Sequence, residues 1–79
     1  MRRLGRVQSY TQGVLVVRSP DESIPNVGDV VLDEELTTVG TVVDIFGPVD
    51  RPYVAVTPSS EDRPVRLLGE PLYVRTDDR

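Results

Sequence analysis

The sequence contains no cysteine, no histidine and no tryptophan. Without cysteine the chain forms no disulfide and offers no thiolate to a metal ion, which fits a reducing compartment. Without histidine it lacks the commonest general acid–base group and the commonest nitrogen ligand for metals. A nucleophile also needs a base to activate it, and no lysine is present to replace histidine. We therefore expect a protein that is not an enzyme and that binds no cofactor and no metal.

Because lysine is absent, all nine basic residues are arginine. They face 13 acidic residues, which gives a net charge of -4. This balance disfavours strong direct binding to RNA, because such affinity comes largely from neutralising phosphates. An acidic chain without lysine is typical of a protein in concentrated intracellular salt, where repulsion among carboxylates is screened over short distances. GC-biased coding explains the same composition equally well.

The length of 79 residues allows one small domain, residues 1–79, and no second core. A chain of this size buries only about 60% of its unfolded surface, so a partner that covers apolar surface is expected. The opening residues are charged and the sequence has no long apolar run, so we expect no signal peptide and no membrane-spanning segment. Residues 76–79 are charged, and we expect them to fray.

Short runs of β-branched residues alternate with turns rich in glycine and proline, which predicts an all-β fold. We expect a small closed barrel of six strands, because closure removes exposed strand edges. An acidic turn at residues 33–35 could begin a helix that does not propagate. Residues 65–68 are expected to make a short extended return. The six predicted strands are Leu4–Tyr10, Val14–Arg18, Val30–Leu32, Val39–Ile45, Tyr53–Thr57 and Glu70–Arg75.

The segment Val39–Pro58 contains the two clearest strands and the loop between them. Period-two alternation puts Val54 and Val56 on one face of the second strand. In the first strand, alternation groups Val39, Thr41, Val43 and Ile45 on one face and Gly40, Val42 and Asp44 on the other. Two prolines in the connection at residues 46–52 fix its backbone, so we expect a stiff, shaped loop.

Apolar residues are concentrated in and beside this loop, where packing needs them least. An exposed apolar cluster is typical of a contact surface. In the alternative, Phe46 and Tyr53 fold back and close the mouth of the barrel. Physical arguments alone favour the contact surface and the plug about equally. The cluster consists of Phe46, Pro48, Val49, Pro52 and Tyr53.

The loop motif DIFGPV, followed closely by PYVAV, resembles the core domain of the GAR family. These proteins are small accessory subunits of H/ACA ribonucleoproteins, the RNA-guided pseudouridylation machines. The resemblance continues upstream through RRLGRV, GVLVVR and VVLDEEL, and downstream through GEPLYV. It covers nearly the whole chain, in order and at the spacing of the family. Each piece alone is weak, whereas their ordered spacing is specific.

The resemblance implies a six-stranded barrel like the β-domains of translation factors and reductases. It implies docking on the catalytic domain of a dyskerin-type pseudouridine synthase, in the cytoplasm of an archaeal cell. There the subunit would engage the synthase's mobile active-site loop and favour substrate loading and product release. Guide RNA and substrate RNA would be partners only indirectly, through the complex. The Arg/Gly-rich tails of eukaryotic relatives are absent here, so their RNA contacts are not carried over.

With the resemblance, the contact interpretation of the loop is favoured over the plug. We also expect Gly40 and Gly47 to shape the backbone. The predicted partner-binding residues are Ile45, Phe46, Gly47, Pro48, Val49, Pro52, Tyr53 and Leu72.

Two other functions remain open from the sequence. The first is a related H/ACA assembly factor that occupies the same docking site, although its usual long extensions are missing here. The second is a free-standing β-barrel that binds RNA or resembles a translation-factor module. Such a module would bind RNA without a partner, with an affinity that falls as salt rises.

The acidic composition yields a first testable prediction. If the chain is adapted to concentrated salt, its free energy of unfolding should rise as salt is added, because screening weakens repulsion among its carboxylates. Urea unfolding in dilute buffer and in molar KCl measures this effect. Cooperative folding in dilute buffer with a midpoint that molar salt leaves unchanged would favour GC-biased coding instead.

Overall fold

A computed structural model describes residues 2–19, 25–59 and 64–75 of the chain. Within these ranges the fold consists of six β-strands and one short 3₁₀ helix, Pro64–Leu67. The part of the chain described contains no helix long and apolar enough to cross a membrane. The predicted fraying of residues 76–79 lies outside the described residues. The strands are β1 (Arg2–Thr11), β2 (Val14–Arg18), β3 (Val30–Leu32), β4 (Thr38–Phe46), β5 (Tyr53–Pro58) and β6 (Pro71–Val74).

The strands form a closed antiparallel barrel in the order β1-β2-β5-β4-β3-β6, and β6 pairs back onto β1. This confirms the all-β, six-stranded barrel expected from the sequence. A two-residue turn joins β1 to β2, and its residues Gln12 and Gly13 have φ values of 52° and 81°. Positive φ at both central positions gives a turn whose twist matches that of the flanking strands.

The interior of the barrel is filled almost entirely by leucine and valine. Val54 and Val56 on β5 are fully buried, as their alternation predicts, and so are Leu72 and Val74 on β6. None of the aromatic side chains in the described residues belongs to this core. The core cluster consists of Leu4, Val7, Leu15, Val17, Val31, Val39, Val42, Val54, Val56, Leu67, Leu72 and Val74.

Strand β4 departs from the simple alternation predicted for it. Val42 pairs with Val56, and the next pair is Asp44 with Ala55, so Val43 is the extra residue of a β-bulge. A bulge moves the following residues to the opposite face, because side chains alternate with a period of two. The bulge therefore leaves Asp44 exposed and turns half-buried Ile45 towards the core.

A second register shift lies at Val39, where Gly40 pairs with Val31 and Thr38 with Leu32. Val39 and Val42 are consequently both buried, and Val43 is 44% exposed. The prediction that Val43 shares a face with the core residue Val39 is wrong.

The structure decides two loop predictions, and the first of them is corrected. Residues 64–67 form a 3₁₀ helix that buries Leu67, where the sequence suggested an extended return. The acidic turn after β3 begins no helix. There a carboxylate oxygen of Asp33 accepts backbone N–H bonds from Glu35 at 2.9 Å and Thr37 at 3.0 Å. The Asp33 side chain thus closes the turn, as the side chains of short polar residues commonly do.

At Gly40, strands β4 and β5 lie too close together for a side chain. A Cβ atom placed there would overlap the backbone carbonyl oxygen of Thr57. Because backbone atoms of a closed barrel move little, an added methyl group forces the two strands apart.

We predict that Gly40→Ala lowers the free energy of unfolding by about 2–3 kcal/mol, as overpacking in a tight interior does. Gly13→Ala is the matched control, since a Cβ atom at Gly13 meets nothing within 4 Å. That control should lose only about 1 kcal/mol for its positive φ. Urea unfolding of both variants measures the difference. Equal losses would show that the close approach to Thr57 costs nothing.

Candidate partner-binding surface

The end of the β4–β5 hairpin carries a pair of stacked aromatic rings. Phe46 and Tyr53 are directly opposite each other across the two strands. Both side chains lie on the outer face of the barrel, because the adjacent Val54 faces the core and side chains alternate. The ring centroids are 5.5 Å apart, with 21° between the ring planes. Such a pair is worth about 0.5–1.5 kcal/mol beyond its buried area, so it forms a surface that is ordered before any partner arrives.

Gly47 lets the chain turn directly over the Tyr53 ring. Its φ is +92°, in the region that favours glycine, and an added Cβ atom would lie 2.8 Å from Cδ2 of Tyr53. A side chain at this position would therefore displace the ring from its stack. The expectation that Gly40 and Gly47 shape the backbone is confirmed.

The far end of the loop is tied to the end of β2. The backbone N–H of Ser19 donates to the carbonyl oxygen of Pro52 at 3.0 Å. Pro52 is itself buried, and Ser19 is 1% exposed. This corrects the assignment of Pro52 to the contact surface, because its ring is enclosed and its role is to anchor the loop.

Between these two fixed ends the loop presents apolar side chains to solvent. Phe46 is 46% exposed and Val49 is 84% exposed, and Pro48 between them is exposed as well. These values exclude the interpretation in which Phe46 closes the mouth of the barrel. We call Phe46, Pro48, Val49 and Tyr53 the loop patch. An exposed apolar group on an ordered loop is the kind of surface that a partner covers.

The remaining two predicted contact residues belong wholly or partly to the interior. Leu72 is 0% exposed, so its assignment to the contact surface is corrected, because an enclosed side chain offers no area to a partner. Ile45 is half-buried and packs against the core cluster. Whether Ile45 and the loop patch bind a partner stays a prediction.

Two residues beside the loop patch were missed by the sequence interpretation. Val43, in the bulge of β4, adds a further exposed apolar side chain on the same strand as Phe46. Arg18, opposite Tyr53 on β2, donates from Nη1 to the Tyr53 hydroxyl at 3.1 Å. Its Cζ lies 5.0 Å from the Tyr53 ring centroid, which is within cation–π range. Neither feature has a local signal in the sequence, because the bulge depends on the register against β5 and the Arg18–Tyr53 contact depends on the pairing of β2 with β5.

The carboxylates of the described ranges offer no centre for a metal ion. No group of three or more acidic side chains there is close enough to hold one. Asp33, Glu34, Glu35 and Glu70 line a shallow crevice of about 270 Å³ together with Arg66. None of the residues that line this crevice belongs to the loop patch, and the Asp33 carboxylate is already used to close its own turn.

Comparison with known proteins gives a consistent result. A family model described as "Gar1/Naf1 RNA binding region" matches residues 1–78. A protein of Methanothermobacter thermautotrophicus is 32% identical over 78 residues, covering 94% of this chain and 83% of that protein. A protein of Methanocaldococcus jannaschii is 39% identical over 66 residues, covering 84% of this chain and 74% of that protein.

Among solved structures, the Gar1 domain of Naf1 has a similar fold. The TM-score is 0.70 at 18% sequence identity, and the alignment covers 94% of this chain and 81% of that chain. At this identity the likeness supports the fold alone. The family is shown by the sequence match over almost the full length: this chain belongs to the Gar1/Naf1 family.

Proposed function

We propose that the chain is a non-catalytic accessory subunit of an archaeal H/ACA pseudouridylation complex, working in the cytoplasm. Membership of the Gar1/Naf1 family is consistent with an accessory role in such a particle. Both methanogen relatives come from archaea. In this proposal the loop patch docks on the catalytic domain of a dyskerin-type pseudouridine synthase. The observation that carries the proposal is the exposure of Phe46 and Val49 on a loop that is fixed at both ends.

The loop patch suits docking because little order has to be gained on binding. Phe46 is already stacked on Tyr53, and the carbonyl of Pro52 already holds the loop to Ser19. Immobilising a mobile side chain at an interface costs about 0.5–1.5 kcal/mol, and preorganised residues avoid most of that cost. A central aromatic anchor such as Phe46 typically accounts for about 2 kcal/mol or more of binding free energy.

The proposed effect on the synthase is a shift between two positions of its active-site loop. A subunit that binds the open position more tightly than the closed one raises the open population by the ratio of the two affinities. An affinity difference of about 1.4 kcal/mol is enough for a tenfold shift. An open loop admits substrate RNA and releases product, whereas the chemical step takes place with the loop closed over the RNA.

The family description also covers Naf1, so an assembly factor that uses the same docking surface is the second candidate. Both candidates predict binding to the synthase through the loop patch. They differ in the mature particle, where an accessory subunit remains bound and an assembly factor has left. Purification of the active complex from cells, followed by detection of this chain, separates them.

We predict that Phe46→Ala combined with Val49→Asp abolishes co-purification with the synthase from the same organism. The change removes the anchor and places a charge on the most exposed apolar residue of the patch, and desolvating an unpaired charge is costly. Both side chains lie outside the core cluster, so the barrel should remain folded.

The matched control is Leu68→Ala combined with Val65→Asp, at and just after the 3₁₀ helix. Leu68 is 46% exposed and Val65 is 55% exposed, so this pair makes the same chemical change to exposed apolar residues elsewhere. Circular dichroism and urea unfolding establish that both variants are folded. Retained capture of the synthase by the loop-patch variant, or its loss in both variants, would refute the docking assignment.

A second prediction concerns the reaction cycle. Adding the subunit should raise the multiple-turnover rate of pseudouridylation much more than the single-turnover rate, because loading and release are repeated only in the first. The measurement compares both rates in the reconstituted complex with and without this chain. An equal increase in the two rates would place the effect on the chemical step and contradict loop gating.

A further inference from the structure

Four arginines line one groove of the barrel, although the chain as a whole is acidic. The groove has a volume of about 480 Å³ and runs along β1, past the end of β2, to the β4–β5 loop. None of the described residues that line it is acidic. The other five arginines share the chain with 13 acidic residues, so the groove is a local concentration of positive charge. We call it the arginine groove, after Arg3, Arg6, Arg18 and Arg51.

Within residues 2–19, 25–59 and 64–75, none of these four guanidinium groups has an ion-pair partner. Arg6 donates from Nη1 to the carbonyl oxygen of Gly69 at 2.8 Å, and Arg18 donates to the Tyr53 hydroxyl. Both acceptors are neutral, so neither bond cancels the positive charge. The Nε of Arg18 is buried and has no hydrogen-bond partner within those ranges. A buried donor of this kind is costly unless a ligand or water completes the bond.

Two of these arginines adjoin the loop patch. Arg51 belongs to the β4–β5 loop, two residues after the exposed Val49. The Cζ of Arg18 lies 5.0 Å from the ring centroid of Tyr53, which is itself part of the patch. A protein that covers the patch therefore also removes water from these two guanidinium groups. A charge that loses its water at an interface is costly unless the partner supplies an opposite charge beside it.

The spacing of the arginines favours a segment with several carboxylates over a single small anion. Arg3 and Arg6 are three residues apart on β1, which is about 10 Å along an extended strand, and Arg51 lies on another element. Guanidinium groups commonly bind carboxylates in bidentate pairs, so each arginine can take one acidic side chain. No aromatic side chain is among the described residues that line the groove, so nucleic-acid bases would find no stacking platform in it.

We propose that the protein that covers the loop patch also places an acidic segment in the arginine groove, where its carboxylates pair with the four guanidinium groups. Such pairing rests on the docking of the loop patch proposed above, and it adds the charge that the partner carries beside its apolar contact. Complementary charges steer the encounter of two proteins and fix their orientation. The groove therefore determines mainly how fast the complex forms, and the loop patch determines mainly how long it lasts.

The test measures the binding kinetics of the full chain and the pseudouridine synthase from the same organism by surface plasmon resonance. The two proteins are compared in about 0.1 M and about 1 M KCl, between which the screening length falls from about 10 Å to about 3 Å. Attraction between the groove and an acidic segment is strong in the first buffer and weak in the second. The association rate constant of the native chain should therefore fall by about tenfold or more as salt rises.

Arg3→Gln combined with Arg51→Gln should slow association by about tenfold in the dilute buffer and leave the dissociation rate nearly unchanged, because exposed charges act mainly on the encounter. Arg3→Glu combined with Arg51→Glu doubles the change in charge and should slow association by about 100-fold. In molar salt both variants should associate about as fast as the native chain. Both side chains are exposed, so the fold should be unaffected.

The matched control is Arg66→Gln combined with Arg75→Gln, which removes the same charge outside the lining of the groove. This control should associate nearly as fast as the native chain in both buffers. Urea unfolding establishes that all variants are folded. Equal slowing by the control pair would overturn the proposal, because net charge would then explain the effect. Native association rates in both groove variants would overturn it as well.

Docking of the loop patch and the acidic contact fail in different ways. If the native chain does not bind the synthase in either buffer, docking is refuted and the acidic contact with it. If the native chain binds and the Phe46→Ala/Val49→Asp variant does not, unchanged kinetics of the groove variants refute only the acidic contact. Groove variants that bind the synthase normally but lose affinity for a single-stranded RNA would assign the groove to RNA and overturn the proposal.

Discussion

Closure of six short strands into one barrel is the constraint on which the rest of the structure depends. Closure pairs the strand backbones with one another, and it leaves an interior that leucine and valine side chains fill. No aromatic side chain of the described residues belongs to that core, and Phe46 and Tyr53 stack on the outside of the β4–β5 hairpin. The loop patch is thus formed by apolar residues that the core does not use. Its residues serve no packing purpose inside the barrel, which is why a partner is the better explanation of their exposure.

Features set by neighbouring residues were predictable from the sequence, and features set by closure were not. The alternation of side chains correctly predicted which residues of β5 and β6 face the core, and the short turn after Thr11 correctly predicted the hairpin of β1 and β2. Alternation failed in β4, because the register shifts at Val39 and Val43 depend on the pairing with β3 and β5. The burial of Leu72 and Pro52 depends on which strands pair across the barrel and where the loop is anchored. The apolar cluster itself was found, because its excess of apolar residues in a loop is visible in the sequence.

Net charge was the least informative property of this sequence. Arg3, Arg18 and Arg51 are far apart in the chain, and they meet only because β1 pairs with β2 and Pro52 holds the loop to the end of β2. The acidic residues Glu35 and Glu70 meet in a separate crevice through other strand contacts. Affinity for a polyanion depends on local phosphate neutralisation and is screened beyond about 10 Å, so the distribution of charge decides it. A chain can therefore be acidic overall and still offer one basic surface.

Tyr53 links the loop patch to β2, because its ring stacks on Phe46 and its hydroxyl accepts a bond from Arg18. The Cζ of Arg18 also lies 5.0 Å from the centroid of the Tyr53 ring, so one residue of β2 contacts both the hydroxyl and the face of this side chain. Phe46 is thus stacked on a ring that is itself held by a neighbouring strand. Because β2 pairs with β5 in the barrel, this order comes from the fold and needs no partner. A partner that covers the loop patch would therefore avoid most of the cost of immobilising these side chains.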